Sequence, residues 1–138
     1  MSKQIKSRNR VKEFAEVYTN EREVKAMCDL IPKETWDNIE STFLEPACGN
    51  GNFLVEILAR KFERCKDEKD GLKALASIVG FDIQQDNVEE SRERLRKMYI
   101  AKYPDCNSFC RAMLAKILRN NIRCCDSLQE MQKWIEKK

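Results

Sequence analysis

The chain has 138 residues, 42% of them hydrophobic and 36% charged, with a net charge of +3. That length accommodates one domain at most, with enough chain for an ordinary buried core. No apolar run approaches the ~20 residues of a membrane span and no signal-peptide core opens the sequence, so neither a membrane nor a secreted protein is expected and the reading is cytoplasmic.

Histidine is absent, which removes Ser-His-Asp and Cys-His nucleophilic schemes. The seven cysteines are odd in number and lack a disulfide-framework spacing, so reduced thiols are expected. Cys106 and Cys110 lie four apart and Cys124 and Cys125 are adjacent, but paired Cys-x-x-Cys knuckles are missing. They read as buried small apolar side chains, and no metal site is expected.

In chain order, residues 1–10 form a basic tail, with Lys3, Lys6, Arg8, Arg10 and Lys12 preceding any acidic residue. It reads as a flexible, solvated segment rather than a phosphate-binding arm. Residues 11–138 form the domain. Asn20-Glu21-Arg22-Glu23 resembles a capping box and opens a helix with Val24, Met27, Cys28 and Ile31 on one face, closed by Pro32. A first strand covers residues 42–46, and a helix over 52–65 turns Phe53, Leu54, Ile57, Leu58 and Phe62 to the core. Lys66 to Gly71 reads as a charged linker, leading through a short helical turn at Leu72 and Leu75 to a second strand, Ser77–Asp82. That strand is apolar nearly throughout, as a buried parallel strand should be.

A long helix over 84–103, with Val88, Leu95, Met98 and Tyr99 inward, ends before Pro104. The next helix, 106–119, is expected to bury Phe109, Met113 and Ile117. Residues 121–126 form the third strand, and Ser127-Leu128-Gln129-Glu130 is read as the capping box of a final helix. The succession is α/β, three parallel strands in order 3-2-1 with right-handed crossovers and helices on both faces.

The stretch Phe43-Leu44-Glu45-Pro46-Ala47-Cys48-Gly49-Asn50-Gly51-Asn52-Phe53-Leu54 carries the chemistry: an apolar strand, a loop with two glycines, then a helix. Glycine there lets backbone come close to a ligand. A dinucleotide fingerprint is a poor fit, because Leu54 takes the third glycine's place and Glu45 would repel a pyrophosphate. A carboxylate at that point suits a ligand bearing an amine, such as S-adenosylmethionine. Ligands of open α/β sheets sit at the carboxyl ends of the strands, and Glu45, Asp82 and Asp126 lie at the three ends. Glu45 would face the methionine amine, Asp82 the ribose hydroxyls, Ile83 an adenine face and Asp126 the adenine amino group. Taken singly, Asp82 or Asp126 also fits a plain helix cap.

Phe43–Leu54 resembles the cofactor loop of S-adenosylmethionine-dependent DNA adenine methyltransferases, usually Asp-Pro-Ala-Cys-Gly-Thr-Gly-x-Phe-Leu. Glu45 stands for the Asp and Asn50 for the Thr. Glu16-Val17-Tyr18-Thr19-Asn20 resembles the family's segment before its first helix, Val79-Gly80-Phe81-Asp82-Ile83 its second cofactor strand, and Asn121–Leu128 its third. The resemblance implies a truncated Rossmann-like class I methyltransferase fold. It implies a cofactor site of Tyr18, Thr19, Glu45, Pro46, Ala47, Cys48, Gly49, Gly51, Phe53, Asp82, Ile83 and Asp126, with Thr19 at the cofactor carboxylate. The implied activity is methyl transfer to the adenine amino group, as in restriction–modification.

The family's catalytic Asp/Asn-Pro-Pro-Tyr/Phe is absent, since Pro32, Pro46 and Pro104 are never adjacent. No catalytic residue is therefore assigned, and the chain alone is expected to be inactive. DNA would be reached through a full-length parent or a complementary C-terminal half, and strand 42–46 offers an edge for a homodimer. A non-catalytic cofactor- or partner-binding module is the alternative, and an RNA or small-molecule methyltransferase fragment is disfavoured by Tyr18-Thr19.

Overall fold

The computed structural model describes residues 20–136, apart from the side chain of Trp134. The basic tail, Tyr18 and Thr19 lie outside the described residues. Asn20 opens α1 (Glu21–Cys28) by accepting the Glu23 N–H at 2.9 Å, in keeping with the capping signal. A short α2 (Lys33–Asp37) follows, then β1 (Phe43–Glu45) and α3 (Asn52–Phe62). After α4 (Glu68–Ala76) come β2 (Ile78–Asp82), α5 (Gln85–Lys102), α6 (Ser108–Asn121), β3 (Ile122–Cys124) and α7 (Ser127–Glu136).

The three strands form one parallel sheet in the order β1-β2-β3, flanked by helices. Phe43 pairs with Ile78 and Glu45 with Gly80, while Gly80 pairs with Ile122 and Asp82 with Cys124. Parallel pairing brings all three carboxyl ends to one side of the sheet. Leu54, Leu58, Ile78, Phe81, Val88, Leu95 and Tyr99 are fully buried at its centre. No helix among the described residues is long and apolar enough to cross a membrane.

Several expected boundaries and faces are corrected. The expected linker is mostly helix: Asp67 accepts the Asp70 N–H at 2.9 Å and caps α4. Gly71 lies inside that helix because the Tyr103 ring crosses it; a Cβ there would stand 2.4 Å from Tyr103 Cε2. On α6 the buried face carries Cys110, Leu114 and Leu118, whereas Phe109 is 74% exposed and Met113 also faces out. The two stripes are offset by one residue, and Cys110 meets Tyr99 inside the core. On α1, Met27 likewise faces solvent while Val24 and Cys28 are buried. The third strand is shorter than expected, because Asn121 ends α6 and its side-chain amide donates to the carbonyls of Ala76 and Ile78. Asp126, not Ser127, caps α7, accepting from the N–H groups of Leu128 and Gln129 at 2.9 and 3.3 Å.

Lys61 is fully buried beneath β1, where Nζ donates to the carbonyls of Ile39 and Ser41 at 2.9 and 2.7 Å and lies 4.8 Å from the Phe43 ring centre. Burial pulls its pKa down from 10.5 to about 8. The unfolded chain therefore binds the extra proton between about pH 8 and 10.5, so this residue's contribution to stability rises with pH across that window, by at most about 1.4 kcal/mol per pH unit. Buried thiols act oppositely, since Cys48 is pushed up and disfavours unfolding less as pH climbs past 9. Urea denaturation of the wild type against Lys61→Met isolates the lysine: the stability difference should move in favour of the wild type from pH 7 to 10. An unchanged difference would contradict a lysine titrating in the fold.

Candidate functional site at the carboxyl ends of the strands

The site begins where β1 gives way to the glycine loop. Cys48 N–H donates to the Phe81 carbonyl at 2.8 Å, which holds the loop against β2 beyond the last paired residues of β1. The chain then turns through Gly49 at φ 54° and Gly51 at φ 94°. Gly51 is the N-cap of α3, and its N–H closes a turn onto the Cys48 carbonyl at 2.9 Å. A Cβ at Gly51 would meet Ser91 Oγ at 2.9 Å and Ser91 Cα at 3.2 Å, so both the dihedral and the space demand glycine.

Three groups from distant sequence fix this loop. Asp82, at the end of β2, accepts the Gly49 N–H at 2.9 Å. Ser91 Oγ donates to the Gly49 carbonyl at 3.1 Å. Arg94 Nη1 donates to the Asn50 carbonyl at 2.9 Å and to Asn52 Oδ1 at 2.8 Å. The other Asp82 oxygen accepts the Gln84 N–H at 2.8 Å and the Asn87 amide at 3.2 Å. Asp82 thus joins the loop after β1 to the start of α5.

Glu45 is half-buried at the tip of β1, where Oε1 accepts the Ala47 N–H at 3.3 Å and no described cation pairs with it. Burial raises its pKa above the ordinary carboxylate value, partly offset by that N–H. Such a carboxyl gains by pairing with an incoming cation. Cys48 points the other way, into the core, with Sγ 3.9 Å from Ser91 Oγ. Burial, with a smaller part from the Asp82 charge, pushes its thiol up to about 12, so it stays protonated and unreactive.

Among the expected site residues, Gly49, Gly51, Cys48 and Asp82 form one connected cluster, with Glu45 on the neighbouring strand end. Pro46 and Ala47 are exposed on the loop, and Phe53 is half-buried in the first turn of α3. Ile83 is 52% exposed, an apolar surface beside Asp82. Asp126 is exposed and engaged as the α7 cap, while the preceding Cys125 N–H donates to the Asp82 carbonyl at 3.0 Å. Sequence reading missed Asn87, Ser91 and Arg94. A signal was present: Asn87 and Ser91 are small polar residues on the apolar face of a highly charged helix, and both are fully buried.

A cleft of about 290 Å³ adjoins the loop, lined by Glu21, Val24, Asn52, Val55, Glu56, Ala59, Arg94 and Met98. It sits against α3 rather than over the strand ends, and it brings the start of α1 beside the start of α3.

No family model matches the chain, and no solved structure matches it. Over 83 residues, 59% of the chain, it is 36% identical to the type II methyltransferase M.VspI of Vibrio sp. (strain 343). Those residues span 17% of that enzyme's length. A parallel α/β sheet with a glycine loop at its carboxyl edge, together with this likeness, supports kinship with a methyltransferase.

Proposed function

We propose that the chain is the S-adenosylmethionine-binding part of a DNA adenine methyltransferase of the restriction–modification kind, with the 3-2-1 half of a Rossmann-like sheet. The observation that carries this reading is the Gly49 N–H to Asp82 contact, which sets a tight glycine loop and a carboxylate against each other at adjacent strand ends. Glu45 takes the methionine ammonium and Asp82 the ribose hydroxyls. Ile83 packs on the adenine, whose amino group Asp126 meets. Glu21 and Asn52 share one cleft, so the start of α1 lies near the start of α3; this reading gives Thr19 to the cofactor carboxylate.

Calorimetry with S-adenosylmethionine tests the reading. Saturable binding is expected at or below millimolar concentration. An ionised Glu45 is needed to hold the ammonium, so affinity should fall as pH drops through its raised pKa, and Glu45→Gln should flatten that dependence. No heat at millimolar cofactor overturns the cofactor reading; an acid dependence that is the same in wild type and Glu45→Gln removes Glu45 from it.

The sequence holds no Pro-Pro motif, so methyl transfer is expected to need a complementary C-terminal half. Among the described residues β1 is an edge strand, and Phe43 and Leu44 carry none of the charges that blunt such edges. Pairing through residues 42–46, with that half or a second copy, follows. Tritiated methyl transfer to DNA by the chain alone would contradict the first expectation, and a clean monomer in sedimentation at high concentration the second.

A further inference from the structure

We propose a thiolate–carboxylate zinc site formed by Cys106, Cys110 and Glu68, away from the glycine loop. The sulfur atoms of the two cysteines and a carboxylate oxygen of Glu68 all lie within 4.8 Å of one another. Spacing alone argues against a zinc knuckle, but the fold adds a third ligand from 38 or more positions earlier in the chain. Both cysteines are buried, Cys106 just before the Asn107 cap of α6 and Cys110 in the first turn of that helix, and Glu68 is half-buried on the first turn of α4. Asn107 caps α6 by accepting the Cys110 N–H at 2.9 Å, so the backbone between the two thiols is already fixed.

Tetrahedral zinc with Zn–S of about 2.3 Å and Zn–O of about 2.1 Å places its ligand atoms roughly 3.6–3.8 Å apart. No pair lies more than about 1 Å beyond that spacing, and the Cys110 sulfur and Glu68 oxygen, 2.5 Å apart, would open by about 1 Å. Two sulfurs and one oxygen form a borderline-soft set that suits zinc or cobalt and disfavours magnesium or calcium. Without an ion, the Cys110 thiol donates a hydrogen bond to the Glu68 carboxylate, and burial with these neighbours pushes the Cys106 thiol up to about 12. On binding, Zn²⁺ takes two thiolates and one carboxylate and releases two protons to solvent. The fourth position is left for water. The Tyr99 hydroxyl, 3.5 Å from Cys110 Sγ, is placed to donate to that thiolate. The ion would clip the start of α4 to the start of α6, which already pack together.

The test is titration of the full reduced chain with cobalt, then displacement by zinc, in a thiol-free reductant. One equivalent should give a thiolate-to-cobalt charge-transfer band that zinc removes. Affinity should rise with pH as two protons leave. Cys106→Ser and Cys110→Ser should each weaken binding by at least about 100-fold, since even outer-shell partners cost about 10- to 100-fold. Glu68→Gln should weaken it by at least about 10-fold, and Cys124→Ser should leave it unchanged. Because Cys110→Ser touches the core, wild-type thiols are also mapped by alkylation, and zinc should protect Cys106 and Cys110 alone. Absence of the band overturns the site, as does its persistence in the Cys106→Ser/Cys110→Ser double variant. Indifference to Glu68→Gln overturns the three-ligand arrangement. Cys106 and Cys110 recovered as a mutual disulfide that excludes metal would replace it.

Discussion

Asp82→Ala is expected to unfold the chain more readily by about 3–5 kcal/mol, because a carboxylate that accepts three hydrogen bonds is lost and its donors are left facing a half-buried gap. Gly49 N–H, Gln84 N–H and the Asn87 amide all lose their acceptor at once. A carboxylate has about four acceptor sites, so three of those on Asp82 are filled before any ligand arrives. A ribose diol would therefore exchange for some of these donors rather than simply add to them. Asp82→Asn separates the two roles: it retains one acceptor oxygen and should recover about half of the lost stability, while weakening cofactor binding. Urea denaturation and calorimetry on the three proteins read both quantities. Stability equal to wild type in Asp82→Ala would show that the bridge between the loop and α5 contributes little.

Gly51→Val should be comparably damaging, for a different reason. The left-handed backbone at φ 94° costs a non-glycine residue roughly 1–2 kcal/mol. The collision with Ser91 adds about 1–3 kcal/mol of overpacking. Ser91→Ala removes the 2.9 Å collision with Oγ but leaves Cα and Cβ at 3.2 Å, so it should relieve part of the steric cost, and the double variant Gly51→Val/Ser91→Ala should be more stable than the sum of the single effects. Strict additivity in that cycle would mean the two side chains do not meet.

The glycine loop was legible because its chemistry is local: two glycines behind a short apolar strand demand positive dihedrals whatever the rest of the chain does. Glu45 and Asp82 at their strand ends were legible for the same reason, whereas Asp126 falls two residues beyond β3 and caps α7. What holds them was not. Gly49 and Asp82 are 33 positions apart, and Gly49 and Ser91 are 42 apart, so only the sheet and the packing of α5 bring them together. The α6 face was misjudged because Phe109-Met113-Ile117 and Cys110-Leu114-Leu118 are adjacent stripes of equal period. Hydrophobicity favours the phenylalanine, whereas the space beside Tyr99 admits the smaller cysteine. The helix around Gly71 was hidden by a residue that disfavours helices by about 1 kcal/mol, accepted here because Tyr103 occupies the room of a side chain.

Ser91 and Arg94 stand one turn apart on α5 and grip the carbonyls of two successive loop residues, Gly49 and Asn50. The loop therefore travels with α5 as one body and is no flap. A molecule arriving over Gly49 and Gly51 finds its seat already shaped, and the entropy of ordering that backbone has been met in folding. Association at this edge should accordingly proceed at a rate set by diffusion and charge rather than by a gating step, and hydrogen exchange at the Gly49 and Gly51 amides should follow opening of the whole domain.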